Sequence, residues 1–216
     1  MDLGIKGKRA IILGASKGIG FASASALAAE GVDVVLSGSS MERAEAAAAK
    51  ITDGKVVPMV GDVSNPDNMN TLYEDAKKAL GGPIDILFNN HGGPAVGAAL
   101  DLDEAELISE FNKMVVSIIR LTGLCVPDMI AQKWGRIIAV GSSGVVQPIP
   151  NMVLSNTLRA STVYYMKTLA NEVIKDGVTV NIVSPTQVLT DRTRSSAAIK
   201  AEKAGISAEE FLANQE

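Results

Sequence analysis

A chain of 216 residues with 47% hydrophobic and 20% charged residues can fill a sizeable core, which excludes intrinsic disorder. Its 20 Lys and Arg against 24 Asp and Glu leave a net charge of −4, so no basic excess exists to neutralise a nucleic acid backbone. A single Cys and a single His exclude an internal disulfide and leave little from which to build a metal site. Cys125 lies in the apolar stretch 118–126 and reads as a small core residue. The apolar run at 10–13 is too short for a signal peptide, and no apolar run reaches membrane-spanning length. The expectation is a cytoplasmic protein that binds no metal, no nucleic acid and no membrane.

Residues 9–13 form the first β-type run, and the Ala-rich helix predicted over 19–30 ends at Gly31. A strand at 32–37 leads to a helix at 41–50, for which Ser39 and Glu42 make a capping box. A strand at 55–60 precedes a helix at 66–80, opened by Asn65-Pro66 and closed at Gly81-Gly82. A strand at 84–89, a long helix at 104–132, a strand at 136–141, a helix at 152–175 and a strand at 178–183 complete the series. Several strands are continuous apolar runs, as parallel strands covered on both faces require. Strand–helix alternation with crossovers of this length predicts an α/β fold with a doubly wound parallel sheet, in one domain over 1–216. Ligands then bind outside the carboxyl ends of the strands.

The first of those loops runs Gly14-Ala15-Ser16-Lys17-Gly18-Ile19-Gly20, between a strand and a helix. Gly14 permits the tight turn, Gly18 lets a pyrophosphate approach the backbone, and Gly20 lets helix pack on strand, while the helix amino end offers N–H groups and a positive dipole. A merely structural glycine-rich turn is the competing reading.

With this turn the chain resembles the short-chain dehydrogenase/reductase family, in particular its 3-oxoacyl-acyl-carrier-protein reductases. The resemblance runs from the first strand to the chain end and implies a Rossmann fold. It also implies cofactor contacts. Gly14, Ser16, Lys17, Gly18, Ile19 and Gly20 match the family's cofactor turn, and Asp62-Val63 looks like its adenine-contacting pair. Asn89-Asn90-His91-Gly92 looks like the family's Asn-Asn-Ala-Gly, with His for Ala. Pro185, Val188 and Thr190 fall in a stretch similar to the one that wraps the nicotinamide carboxamide and pyrophosphate. Asp62 also suits a turn cap, and Thr190 a helix cap.

The catalytic positions depart from the family. Ser142 sits where its catalytic Ser does. After twelve intervening residues, where Tyr-x-x-x-Lys belongs, the chain has Ser155 and Arg159, and Met114 replaces the family's Asn. Positions i and i+4 share a helix face, so Ser155 and Arg159 can both face a cofactor. An aliphatic hydroxyl is a far weaker acid than a tyrosine, and Arg stays charged, so neither restores the usual proton relay. Arg159 can hold ribose hydroxyls and stabilise an alkoxide, Ser142 can polarise a carbonyl oxygen, and Ser155 can relay a proton. His91 titrates near neutrality and either supplies the proton or is a loop residue satisfied locally. Tyr164 and Tyr165 lie near the opposite face and read as packing residues.

The resemblance thus implies an NAD(P)-dependent oxidoreductase acting on a carbonyl or alcohol. Loss of the Tyr, Lys and Asn positions favours the alternative, a non-catalytic dinucleotide-binding protein. The strand-two end, Ser37-Gly38-Ser39-Ser40, carries no acid before Glu42, and Lys17 can meet a 2′-phosphate, which leans the cofactor to NADP over NAD. Ser39 is accordingly a cofactor candidate as well as a cap. The family's habit implies a homodimer or homotetramer. Residues 190–216 are expected to form a substrate lid of helices, and the family's last strand is expected to be missing, which leaves an open sheet edge.

Overall fold

A computed structural model describes residues 2–186, 188–190, 193–194, 197–198, 201, 205–207 and 209–210. Six parallel strands, β1 (Arg9–Ile12), β2 (Asp33–Gly38), β3 (Val56–Val60), β4 (Ile86–Asn89), β5 (Gly135–Val140) and β6 (Val178–Val183), lie in the order β3-β2-β1-β4-β5-β6. This is the doubly wound arrangement, with its order reversing between β1 and β4. The helices are α1 (Gly18–Ala29), α2 (Met41–Ala48), α3 (Asn68–Leu80), α4 (Glu104–Phe111), α5 (Ser117–Ala131) and α6 (Val153–Val173). All of these belong to one compact unit, 1–185. Residues from Thr186 onward cluster as a second small unit, a boundary four residues before the expected lid. Gln187, most of the 190–216 stretch and everything beyond 210 lie outside the described residues, and with them the question of a last strand.

Successive side chains of the strands point to opposite faces, and the two cores follow that alternation. Ile11, Val35, Leu87 and Ile137 pack with α3, α5 and α6, where Cys125 is wholly buried and burial pushes its thiol pKa far up. Ala10, Ile12, Val34, Leu36, Ile86 and Phe88 pack with α1 and α2. A third, smaller cluster joins Met114 and Val115 to Leu154 and Leu158 of α6.

At the amino ends of the strands the buried Asp85 ties β1 to β4. Its Oδ2 accepts from Arg9 N and Arg9 Nε, both at 2.9 Å, and Lys8 stands 3.7 Å from Oδ1. Its main chain exchanges a further bond with Arg9 and accepts one from Arg136 N.

Five local expectations change. Ser40, not Ser39, caps α2: its Oγ accepts from Arg43 N, because Ser40 is the last extended residue before the helix. Asn65 and Pro66 lie before α3, where their carbonyls accept i+3 bonds from Asn68 and Met69, a tighter turn than α. The helix expected over 104–132 is interrupted by a π-helical turn, Asn112–Val116. The segment 104–131 is, by length and composition, apolar enough to span a membrane; its apolar residues Ile118, Leu121, Cys125 and Met129 are spent on the core. Tyr165 packs against the first core, whereas Tyr164 is exposed and packs on none of these clusters.

Candidate active site

The glycine turn is built as its residue types demand. Gly14 and Gly18 both take φ +58°, the left-handed region that glycine enters without strain. A Cβ on Gly20 would stand 2.4 Å from Gly14 O and 2.9 Å from both Ala15 Cα and Asn90 Nδ2, so only glycine fits. Ala15 N donates to Ser37 O at 2.8 Å, which holds the turn against the end of β2. Asn90 clamps it from just beyond β4: its Nδ2 donates to Leu13 O (3.3 Å) and Gly14 O (3.2 Å). No side chain caps the amino end of α1; Lys17 precedes it in extended conformation and is exposed, Ser16 and Ile19 are half-buried, and Ser39 is exposed. A strand end, a tight glycine turn and an uncapped helix amino end fit the pyrophosphate of a dinucleotide.

Around this turn the expected cofactor residues show individual roles. Asp62 holds its own loop, since its carboxylate accepts from Ser64 Oγ (2.6 Å) and Ser64 N (3.0 Å), and these bonds keep its pKa below the usual range. Val63 contributes a carbonyl that accepts from Ser117 Oγ at 2.8 Å. Asn89 is buried, and its Nδ2 donates to Thr122 Oγ1 at 3.1 Å. His91 Nδ1 donates to Gly92 O at 2.6 Å, which places the proton on Nδ1. Gly92 is exposed. Pro185 O accepts from Ser143 N at 3.3 Å. In the second unit Val188 O accepts from Thr190 N at 2.8 Å, and Thr193 N donates to Thr190 Oγ1 at 3.4 Å, so Thr190 caps a turn.

Ser142, Ser155 and Arg159 lie beside the carboxyl end of β5. Ser155 is only 4% exposed, and its Oγ accepts from Arg159 Nε at 3.3 Å, as the i, i+4 spacing requires. Arg159 Nη1 donates to Val140 O (2.7 Å) and Gly141 O (3.2 Å), so the guanidinium is anchored on the strand end. Ser142, the next residue, accepts from Gly144 N at 3.1 Å and opens a short 3₁₀ turn. A crevice here is lined by His91, Gly141, Arg159, Thr162, Val163 and Ile182, among others, and by no carboxylate among the described residues. The structure thus brings His91 and Arg159 to one crevice, whose lining includes neither Ser142 nor Ser155.

Thr162 was not singled out by the sequence, although it stands three residues beyond Arg159 on the same helix face. Its hydroxyl lies 3.1 Å from Met114 O and 3.3 Å from Leu158 O, joining the π-helical turn to α6. Met114 itself is buried in apolar surroundings, so its side chain takes no part in polar chemistry.

Fold and glycine turn define a dinucleotide-binding protein with a crevice at the carboxyl ends of its strands that brings His91 and Arg159 together. The short chain dehydrogenase family profile matches residues 8–200. A 3-oxoacyl-[acyl-carrier-protein] reductase of Haemophilus influenzae is 32% identical over 189 residues, covering 88% of this chain and 77% of the relative. The structure of L-sorbose reductase from Gluconobacter frateurii, complexed with NADPH and L-sorbose, superposes with a TM-score of 0.92 at 32% identity, over 98% of this chain and 81% of the other. An NAD⁺-bound xylitol dehydrogenase superposes with a TM-score of 0.84 at 25% identity, over 92% and 77%. The chain belongs to the short-chain dehydrogenase family and is an NAD(P)-dependent oxidoreductase acting on small molecules.

Proposed function

We propose that the chain interconverts a carbonyl and an alcohol with NADP(H) in preference to NAD(H), using Ser142, Ser155 and Arg159 in place of the family's Ser, Tyr and Lys. The observation that carries this reading is the bond from Arg159 Nε to the buried Ser155 Oγ. Because Ser155 accepts from a group that can only donate, its own O–H is left to donate to a reacting oxygen. Arg159 keeps a full positive charge at any working pH and favours negative charge developing on that oxygen. His91 lines the same crevice with its Nδ1 bonded to Gly92 O, and it is the second candidate for supplying the proton. A bound nicotinamide supplies or accepts the hydride. Gly14, Gly18, Gly20 and the first residues of α1 would hold its pyrophosphate, and Asp62, Val63 and Asn90 its adenosine side.

The NADP preference draws on exposed Lys17 and Ser39 and on the absence of an acid between Ser37 and Ser40. With Ser40 as the cap of α2, Ser39 is released for such a contact. The same reading includes a homodimer or homotetramer, for which the exposed Ile119 of α5 and Tyr164 of α6 offer apolar contact, and light scattering at a monomer mass would refute it. A non-catalytic dinucleotide-binding protein is the second reading, favoured by the guanidinium of Arg159 being engaged on Val140 O and Gly141 O. Titration with NADPH and NADH, followed by turnover on ketones, acyl thioesters and sugars, separates the two. Tighter NADPH binding with turnover of any member supports the first, and binding without turnover supports the second.

A further inference from the structure

The segment from Ser142 to Met152 joins β5 to α6 over the carboxyl end of the sheet. Little apolar burial holds it: Val146 is 84% exposed, and Gln147, Pro148 and Pro150 are exposed as well. One side chain fastens its middle. Asn156 turns its amide onto the backbone of Ile149, with Ile149 N donating to Oδ1 (3.3 Å) and Nδ2 donating to Ile149 O (2.9 Å). A donor and an acceptor on one planar group are needed to satisfy both polar groups of a single residue, which restricts the position to a primary amide.

Gly144 belongs to the same arrangement. A Cβ there would stand 2.5 Å from Asn156 Oδ1 and 3.4 Å from Ser142 Oγ, the atom that accepts from Gly144 N. Amide, glycine and Ser142 are therefore one connected set. The far end of the segment is fastened to the loop after β4: Gly97 N donates to Asn151 O at 2.8 Å, Val153 N donates to Gly97 O at 3.4 Å, and Gly97 pairs with Met152. Among the described residues, the bonds to Asn156 and Gly97 are the hydrogen bonds that hold residues 148–152 down.

We infer that Asn156 is a positioning residue that sets substrate size: by pinning Ile149 it holds the 143–151 segment and Ser142 in the arrangement that frames the carboxyl ends of β4 and β5. This rests on the reading above of that end of the sheet as the substrate side. The amide does not touch the reacting atoms. Its loss lets the segment open, which changes which substrates fit before it changes how the oxygen is polarised.

The test uses the full chain and the variants Asn156→Leu, which removes both bonds at similar volume, and Asn156→Asp, which keeps the acceptor and removes the donor. Hydrogen exchange of the 143–151 amides, the NADPH dissociation constant and the kinetics of a ketone series from butan-2-one to nonan-2-one are measured. Asn156→Leu is expected to speed exchange in the segment at least tenfold, to leave NADPH binding within twofold, and to shift the ratio of KM between the longest and shortest ketones at least fivefold, with a smaller shift in kcat. Asn156→Asp falls between, and it carries the test if the Leu variant does not fold. Exchange within twofold of the parent overturns the inference, as does a loosened segment with an unaltered KM ratio. If the parent turns over no ketone, the catalytic reading fails by itself. The size preference is then read as quenching of bound NADPH fluorescence by the same ketones, and an identical pattern, or no quenching, in parent and variant overturns the inference.

Discussion

Replacing Gly20 by Ala tests the glycine turn at its tightest contact. The new Cβ would stand 2.4 Å from Gly14 O, where ordinary contact begins at 3.4 Å, so the carbonyl has to retreat by about 1.0 Å (3.4 − 2.4). Flexible side-chain ends yield cheaply, but two of the three nearest atoms here are backbone. Overpacking of this kind costs about 1–3 kcal/mol. For a chain of this size that lowers the melting temperature by about 2–12 °C. The turn that moves is the one that presents N–H groups to the pyrophosphate, and losing one charge-assisted bond costs about 1.5–3 kcal/mol. NADPH affinity should therefore fall roughly 10- to 100-fold. Gly123→Ala is the control: it lies in α5, an added Cβ meets nothing within 4 Å, and helix propensity predicts a gain approaching about 1 kcal/mol. Fluorescence titration and thermal melts read both effects. A Gly20→Ala protein that binds NADPH within twofold of the parent and melts within one degree of it would refute the reasoning.

Asp85→Ala strips Arg9 N and Arg9 Nε of their acceptor; because Arg9 and Lys8 keep 23% and 29% of their side chains exposed and can rehydrate, the loss should be about 2–4 kcal/mol rather than more, measured by urea unfolding. Asp128 is held below the usual carboxylate range first by the Tyr73 hydroxyl and then by Lys77, so its contribution is present above the unfolded value of about 3.9 and lost as pH falls through the lower folded value; the stability of Asp128→Asn should vary less with pH across that window. Arg159→Met should weaken NADPH binding and lower turnover together, while Ser155→Ala should mainly lower turnover, by the order of 10². Steady-state kinetics beside cofactor titration check the pair, and unaltered turnover in Ser155→Ala would leave Ser155 a spacer.

The strand positions were legible because parallel strands buried on both faces leave continuous apolar runs, and all six appear within two residues of where those runs lie. The glycine turn was legible for a different reason: positive φ and close approach are demands on single residues, and Gly14 and Gly20 answer them. Patterns shared by neighbours were not resolved. Ser39 and Ser40 both suit a cap, and only the backbone chooses between them. The i, i+4 spacing gave the Ser155–Arg159 contact but not the strand-end carbonyls that hold the guanidinium, since those belong to residues 18 and 19 positions away. Asn156 was silent because its partner is a main chain, which leaves no mark in side-chain patterning.

The π-helical turn at Asn112–Val116 gives the segment around it an unusual rule about length. Before and within it, Leu107, Met114 and Val115 face the small cluster with α6; beyond it, Ile118, Leu121, Cys125 and Met129 face the sheet. One residue of an α-helix corresponds to about 100° of rotation, and a π-turn accommodates one residue more than an α-turn. Deleting a single residue from 112–116 would relax the turn to regular α-helix and leave the stripe of α5 on the sheet, whereas deleting one from the regular turns of α5 would swing everything after it by that angle. Surface loops of this fold can lengthen or shorten at small cost; within this helix the π-turn is the place that shares that tolerance, and a one-residue deletion in the regular turns of α5 should be as damaging as the loss of a core side chain.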